Sequence, residues 1–476
     1  MMHPAPTRRD LLWQLGGGLG GVALAQLLGE AGLLAGTPPR PEFNGGLHHK
    51  AKGRRVIQLF MNGGVSQADT FDYKPLLQKK HGQTFDPGGG ARVEAVTSTP
   101  GKVLGCPFPF KQHGACGRWV SAVFPHVARH ADDLALLFGL AARTNVHGPA
   151  SYQMNTGFTL PGFPCLGAWL GYGLGALADN LPTFVVLPDA RGLPYNNLGN
   201  FSSGFLPGVH AGTVLKLDAA NPLPALRPPA GAKYITPAGE KETLSLLHDL
   251  NAEHARGRPG DSRLEGRIRA YELAAKMQAH APEALDLSRE SRAVRGRYGA
   301  DDPVTGPFAR RCLTARRLLE RGVRFVQVWS GAGGPSNNWD NHGSIAAELP
   351  AIARTVDRPI GALLADLKAR GLLEDTLVVW CSEFGRQPFS QGSLGRDHNG
   401  GTGVAWLAGA GVKGGSTAGE SDEWSWRATK PLLSYDLHAT VLHLLGIDHE
   451  KLTFRHNGSD RRLTDVHGHV VRGVLA

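Results

Sequence analysis

Carboxylate, imidazole and guanidinium side chains recur just past apolar runs of this chain, a pattern that suits a divalent-metal site. In the loop SGAGGPSNNWDNHG, Asp340 and His342 stand two residues apart among glycines. A carboxylate and an imidazole so placed are good ligands for Zn or Mn, with Ca or Mg as alternatives. In TLVVWCSEFGRQPFSQGSLGRDH the apolar run Leu377 to Trp380 stops at Ser382, Glu383, Gly385 and Arg386, and Asp397 and His398 follow between glycines. Those glycines predict a tight loop returning to the same crevice. The competing reading is a solvated salt bridge at a strand end and a surface turn.

Two more stretches join them. His147 opens HGPASYQMNTG, where Pro149 in the first turn and Gly157 at the end predict a short helix whose N-terminus favours anions. His147 is either a satisfied loop histidine or part of the chemistry. Asp69 and Asp72 lie in GGVSQADTFD, just past Asn62 and Gly63. They form a first metal-binding loop or cap a helix starting near Lys74. The candidate ligands are therefore Asp340, His342, Glu383, His398 and Asp69, and the candidate catalytic residues are His147 and Arg386.

Such groups need a scaffold that brings distant loops together. Apolar runs at Arg54 to Met61, Leu134 to Leu140, Phe184 to Leu187, Val323 to Trp329, Leu377 to Trp380 and Gly403 to Ala408 read as buried strands. Helical patterns at Ala122 to His130, Cys165 to Leu177, Pro307 to Arg321, Ile345 to Arg370 and Tyr435 to Leu445 alternate with them, with Pro350 and Pro359 expected to bend or break the fourth. This alternation predicts an α/β fold, a three-layer sandwich around a mostly parallel central sheet. Ligands then gather at the carboxyl ends of the strands. From Asp189 to Pro303 the strand signal fades, and Arg-rich helices at Leu244 to Arg256 and Leu264 to Ala279 predict a cap or insertion. On the last helix, His438 and His443 read as packing or surface residues.

Composition sets the broad class. With 41% hydrophobic and 19% charged residues in 476, the chain is neither disordered nor a polytopic membrane protein. The formal charge of +10 includes nine arginines between Arg256 and Arg297, which read as a solvated helix face with some attraction for anions. No nucleic-acid module accompanies them. Five cysteines show no paired metal spacing, and Cys106 and Cys116 are close enough in sequence to form a disulfide in an oxidising compartment.

Arg8 and Arg9 precede a segment, Leu11 to Leu34, carrying Gly16, Gly17, Gly18, Gly20 and Gly21. This resembles a twin-arginine export leader, expected over residues 1–36 and followed by a linker over 37–53. It implies the twin-arginine export machinery as a partner and a periplasmic or extracellular location, with a membrane anchor if the leader stays uncleaved.

Over nearly its whole length the chain resembles a family of twin-arginine-exported bacterial proteins known as a domain of unknown function, through FMNGGVSQADTFD, HGPASYQMNTG, WDNH, SEFGR, GRDHNGG and DLHATVLHLLGID. It also resembles the alkaline-phosphatase/sulfatase superfamily. His147, Pro149, Thr156 and Gly157 fall into the spacing of the sulfatase signature, with His147 at the nucleophile position and Ser151 where that signature has an arginine. Phe384 stands where a ligand is usual, and Asn62 and Gly63 replace paired aspartates. The resemblance implies a sulfatase-like fold and a metal-dependent hydrolase of sulfate or phosphate esters, with an anionic ester or sulfated polysaccharide as substrate. His147 would be nucleophile, general base or further ligand, and Arg386 would face the anionic transition state. The alternative is a non-catalytic relative that binds anionic polysaccharide through its Arg-rich cap.

Overall fold

The strand that centres the sheet is β1 (Arg55–Met61), whose last six residues are all buried. A strand covered on both faces reads as a near-continuous apolar run, here interrupted by the buried Gln58. In the computed structural model, residues 47–90, 99–219, 236–258, 282–334, 338–391 and 394–476 are described, with 93, 95, 97, 222, 264, 268 and 336. The expected leader, the sequence linker before residue 47 and most of the helix expected at Leu264 to Ala279 lie outside the described residues.

Seven further strands complete the sheet: β2 (Leu134–Phe138), β3 (Phe184–Leu187), β4 (Thr213–Val214), β5 (Phe325–Ser330), β6 (Thr376–Cys381), β9 (Val404–Ala408) and β10 (Thr417–Ala418). Between β6 and β9 the chain makes a separate antiparallel ribbon of β7 (Gly385–Ser390) and β8 (Arg396–Asn399). The order across the sheet is β10-β2-β9-β6-β1-β5-β3-β4. Only β9 runs against its neighbours β2 and β6; the other pairings are parallel.

Alternation along the strands splits the core in two. Ile57, Leu59, Val326, Val328, Val378 and Trp380 face one layer, which contains α4 (Gly306–Glu320) and α5 (Ile345–Ala369). Val56, Phe60, Leu377, Val379 and Cys381 face the other, built on α2 (Leu166–Leu174) and α6 (Ser434–Leu444). The result is the expected α/β sandwich with a mostly parallel central sheet.

Several local expectations change. α5 is one helix, not broken at Pro350 or Pro359, and carries a buried stripe of Leu349, Ile352, Val356, Ile360, Leu363 and Leu367. Ala122 to His130 is not an α-helix; the only helix there is a 3-10 segment at Val127–Asp133. Thr213–Val214, inside the stretch expected to form the cap, pairs with β3 and extends the sheet. α3 (Pro237–Arg256) stands mostly exposed with Leu246 and Leu250 toward solvent. All five cysteines are free, so Cys106 and Cys116 form no disulfide; the buried Cys106 thiol packs instead against the Phe108 backbone. Among the described residues no helix is long and apolar enough to cross a membrane.

Candidate metal centre

The carboxyl ends of β1, β5 and β6 release three loops that meet within hydrogen-bonding distance of one another. Gly63, just past β1, has φ of 122°, and a Cβ there would sit 2.6 Å from the Asp340 nitrogen. Only glycine permits that approach. It lets the Asn62 carbonyl take the Trp339 N–H at 3.0 Å, while Trp339 Nε1 donates to Ser330 Oγ at 3.1 Å. Asp340 is thereby pinned at the mouth of the crevice. His398 arrives on β8, and His147 is the first residue of α1 (His147–Thr156).

Oδ1 of Asp340 is the meeting point. It lies 2.7 Å from Nε2 of His342, 3.1 Å from Nε2 of His398, 3.2 Å from Nε2 of His147 and 2.5 Å from an Arg386 terminal nitrogen. The Nε2 atoms of His342 and His398 are 2.9 Å apart. Donor atoms about 2 Å from a common tetrahedral ion stand roughly 3.3 Å from each other, and the distances from Asp340 Oδ1 to His147 and His398 come near that value.

The protons say the same. His398 Nδ1 faces the Asn145 carbonyl at 2.8 Å, and a carbonyl only accepts, so Nδ1 carries the hydrogen and the neutral ring turns a bare Nε2 inward. His147 Nδ1 donates to Glu383 Oε1 at 2.7 Å, so in the neutral ring Nε2 is again the bare nitrogen. That buried Nε2 has no hydrogen-bond partner of acceptable geometry despite its closeness to Asp340. Lone pairs converging on a carboxylate oxygen repel unless a cation or proton lies among them. His147, Asp340 and His398 form one group able to hold an ion, and His342, Asp397 and His398 a second that overlaps it.

Electrostatics follow this geometry. Burial would raise the Asp340 pKa, but the three imidazoles and Arg386 outweigh it and hold the carboxyl far below the usual range. Burial disfavours charge on His147, yet Asp340 and Glu383 raise its pKa. For His398 burial wins and the pKa falls.

Glu383, expected as a ligand, stands one step back. Its Oε1 accepts from His147 Nδ1 and from the Gly63 N–H at 2.8 Å, and it belongs to neither ligand group. Arg386, expected to face an anionic substrate, is fully buried. Its guanidinium donates to the carbonyls of Gly63, Gly64 and Arg396 as well as to Asp340. A guanidinium turned to the backbone is not presented to a transition state. Asp69, expected as a ligand, lies in a buried ion pair with Arg396 at 2.6 Å and accepts from Ser66 at 2.5 Å. Asp72 takes the hydroxyls of Ser421 and Ser425 and the Lys74 ammonium.

Tyr195 and Asn145 carry no sequence signal, and Phe384 is the residue that the resemblance puts where a ligand is usual. Tyr195 stacks on His147 at 4.4 Å and 7°, and burial together with Asp340 and Glu383 pushes its phenol up to about 12. Phe384 packs against both His147 and His398, at 4.8 and 5.0 Å. Asn145 acts through its carbonyl, which no residue type reveals.

Residues 53–475 match a single family model, and the chain belongs to that family, described as Protein of unknown function (DUF1501). No curated protein matches it. Among solved structures it is similar to Ps i-CgsB, with 13% identity and a TM-score of 0.36 over 83% of this chain and 72% of that one. It is similar to alkaline phosphatase from the Antarctic bacterium TAB5, with 11% identity and a TM-score of 0.34 over 83% and 98%. A third is the lipoteichoic acid synthase LtaP from Listeria monocytogenes, with 9% identity and a TM-score of 0.34 over 87% and 75%.

Proposed function

We propose that this chain is a metal-dependent hydrolase of sulfate or phosphate esters that works outside the cytoplasm, with one divalent ion held by His147, Asp340, His342 and His398. The observation that carries the proposal is the convergence of three imidazole Nε2 atoms on one carboxylate oxygen at 2.7 to 3.2 Å. Three nitrogens and one oxygen suit Zn or Mn better than Ca or Mg, which prefer all-oxygen shells. When bound, such an ion supplies Lewis acidity toward an ester oxygen and toward water.

The protein's own groups prepare that chemistry. Glu383 holds the His147 ring by its Nδ1–H, and the Asn145 carbonyl does the same for His398. An acceptor behind a ligating histidine fixes its tautomer and makes it a better ligand. Arg386 offsets the charge that Asp340 brings into a buried place. Of the roles open to His147, ligation fits its inward Nε2 better than nucleophilic attack.

The test combines metal analysis with a substrate panel. Purified protein is expected to hold one equivalent of Zn or Mn and to cleave aryl sulfates or aryl phosphates, both lost in Asp340→Asn and restored to the native chain after chelation by added metal. Absence of a stoichiometric ion, together with unchanged behaviour of Asp340→Asn, removes the proposal.

A further inference from the structure

A hydrogen-bond chain outside the four ligands dictates which nitrogen His342 presents, and we propose that Asp397, Thr97 and Gln391 are positioning residues that set its tautomer for ligation. The purpose of this chain rests on the metal-centre reading; its polarity does not. Asp397 is fully buried, and a carboxylate has only acceptors to offer. Its Oδ1 takes the His398 N–H at 2.7 Å and the Thr97 hydroxyl at 2.8 Å, and its Oδ2 takes the Thr97 N–H at 3.1 Å.

Each link then leaves one choice. The Thr97 hydroxyl has a single proton, and Asp397 takes it, so Thr97 Oγ1 can only accept from its next neighbour. That neighbour is Nε2 of Gln391. An amide with its nitrogen toward Thr97 turns its oxygen the other way, and Gln391 Oε1 lies against Nδ1 of His342. The amide oxygen accepts, so Nδ1 of His342 carries the hydrogen. Its Nε2 is left bare, facing Asp340 and His398.

His342 is the ligand that most needs this support. Its side chain is 28% exposed, against 10% for His147 and 7% for His398. His147 is gripped by Glu383 and stacked on Tyr195, and His398 is tied to Asn145. His342 has the Gln391 amide on the same nitrogen that those partners occupy in the other two rings. Asp397 falls into the second ligand group with His342 and His398, yet both of its oxygens are engaged by Thr97. The chain gives that carboxylate a task without metal contact.

The experiment reads tautomers directly. Long-range proton–nitrogen NMR on the full chain with labelled histidine, free of metal at alkaline pH, assigns the His342 signal by its loss in His342→Gln. The wild type is expected to show the Nδ1–H form, Thr97→Val to lose that preference, and Thr97→Ser to recover it. Zinc affinity is expected to fall about tenfold to a hundredfold in Thr97→Val and return in Thr97→Ser, the usual cost of removing a partner behind a ligand. Gln391→Leu, at a half-buried strand end, asks the same question if Thr97→Val does not fold. An Nε2–H form in the wild type, or a tautomer and affinity indifferent to both variants, overturns the proposal. If the wild type shows the Nδ1–H form but binds no zinc or manganese, the chain of hydrogen bonds stands and the metal-centre reading falls.

Discussion

Arg386 and His398 stand directly opposite each other in the antiparallel ribbon, and both side chains end on Oδ1 of Asp340. Cross-strand partners share a face of a ribbon, so one register places a cation and an imidazole on the same acceptor. The ribbon thereby sets the geometry around Asp340 from one side, while β1 and β5 set it from the other.

Arg386→Met is expected to cost more than a lost salt bridge. The guanidinium satisfies buried carbonyls of Gly63, Gly64 and Arg396, and Asp340 would keep a buried charge with one counter-ion fewer. Breaking such a group from one side typically costs about 3–5 kcal/mol. Urea denaturation of metal-free protein should show the loss. A variant as stable as the wild type would mean that the guanidinium is not structural.

Asp69→Asn separates structure from ligation. Its partner Arg396 is fully buried and donates to both Asp69 oxygens, at 2.6 and 3.0 Å, and to carbonyls of Gln387 and Leu104. Removing the carboxylate charge should destabilise the fold by about 3–5 kcal/mol and leave metal stoichiometry unchanged. Loss of the ion with stability intact would return Asp69 to the ligand set.

What could be read beforehand follows from the kind of signal each part sends. β1, β5 and β6 are buried on both faces and so appear as apolar runs. The ribbon is buried too, but by Arg386, Arg396, Asp397 and His398, and hydrophobic patterning does not register buried polar residues. That is why its sequence reads as a loop. Asp340, His342 and His398 stand out as candidates because ligand types among glycines are uncommon, and the fold brings their donor atoms together. Glu383, Arg386 and Asp69 were visible as types, but whether a charge meets an ion, a backbone or another charge is decided by contacts across more than 300 residues. Thr97 and Gln391 carry ordinary amide and hydroxyl groups, and nothing in their spacing marks them.

His438 predicts a pH dependence of stability remote from the centre. It is buried in α6, bonds the Met154 carbonyl through Nε2 at 2.9 Å, and leaves Nδ1 without a partner. Burial lowers its pKa to about 4. An unfolded histidine titrates near 6.5, so between about 6.5 and 4 the unfolded state binds more protons and stability falls as pH falls. The contribution is complete above the unfolded value and gone below the folded one. His438→Gln keeps a donor for Met154 without titrating. Its urea stability should decline less than the wild type's between pH 7 and pH 5, by about 2 kcal/mol. Parallel declines would rule out His438 as the source.

Glu383 offers the sharpest distinction between a ligand and a group that orients one. Its Oε1 holds both the His147 Nδ1–H and the Gly63 N–H, and Ser382 Oγ lies 3.0 Å from its Oε2. In Glu383→Gln an amide oxygen can still accept both bonds, although with less charge, so the His147 tautomer should persist and metal affinity should drop only modestly. In Glu383→Ala the ring loses its only Nδ1 partner among the described contacts, and affinity should fall about tenfold to a hundredfold, as for other groups behind ligands. A true ligand would behave otherwise, because an amide is a far poorer metal donor than a carboxylate. Titration calorimetry with zinc therefore decides: a graded loss from Gln to Ala marks Glu383 as the support of His147, and equal, near-complete loss in both would place it on the metal itself.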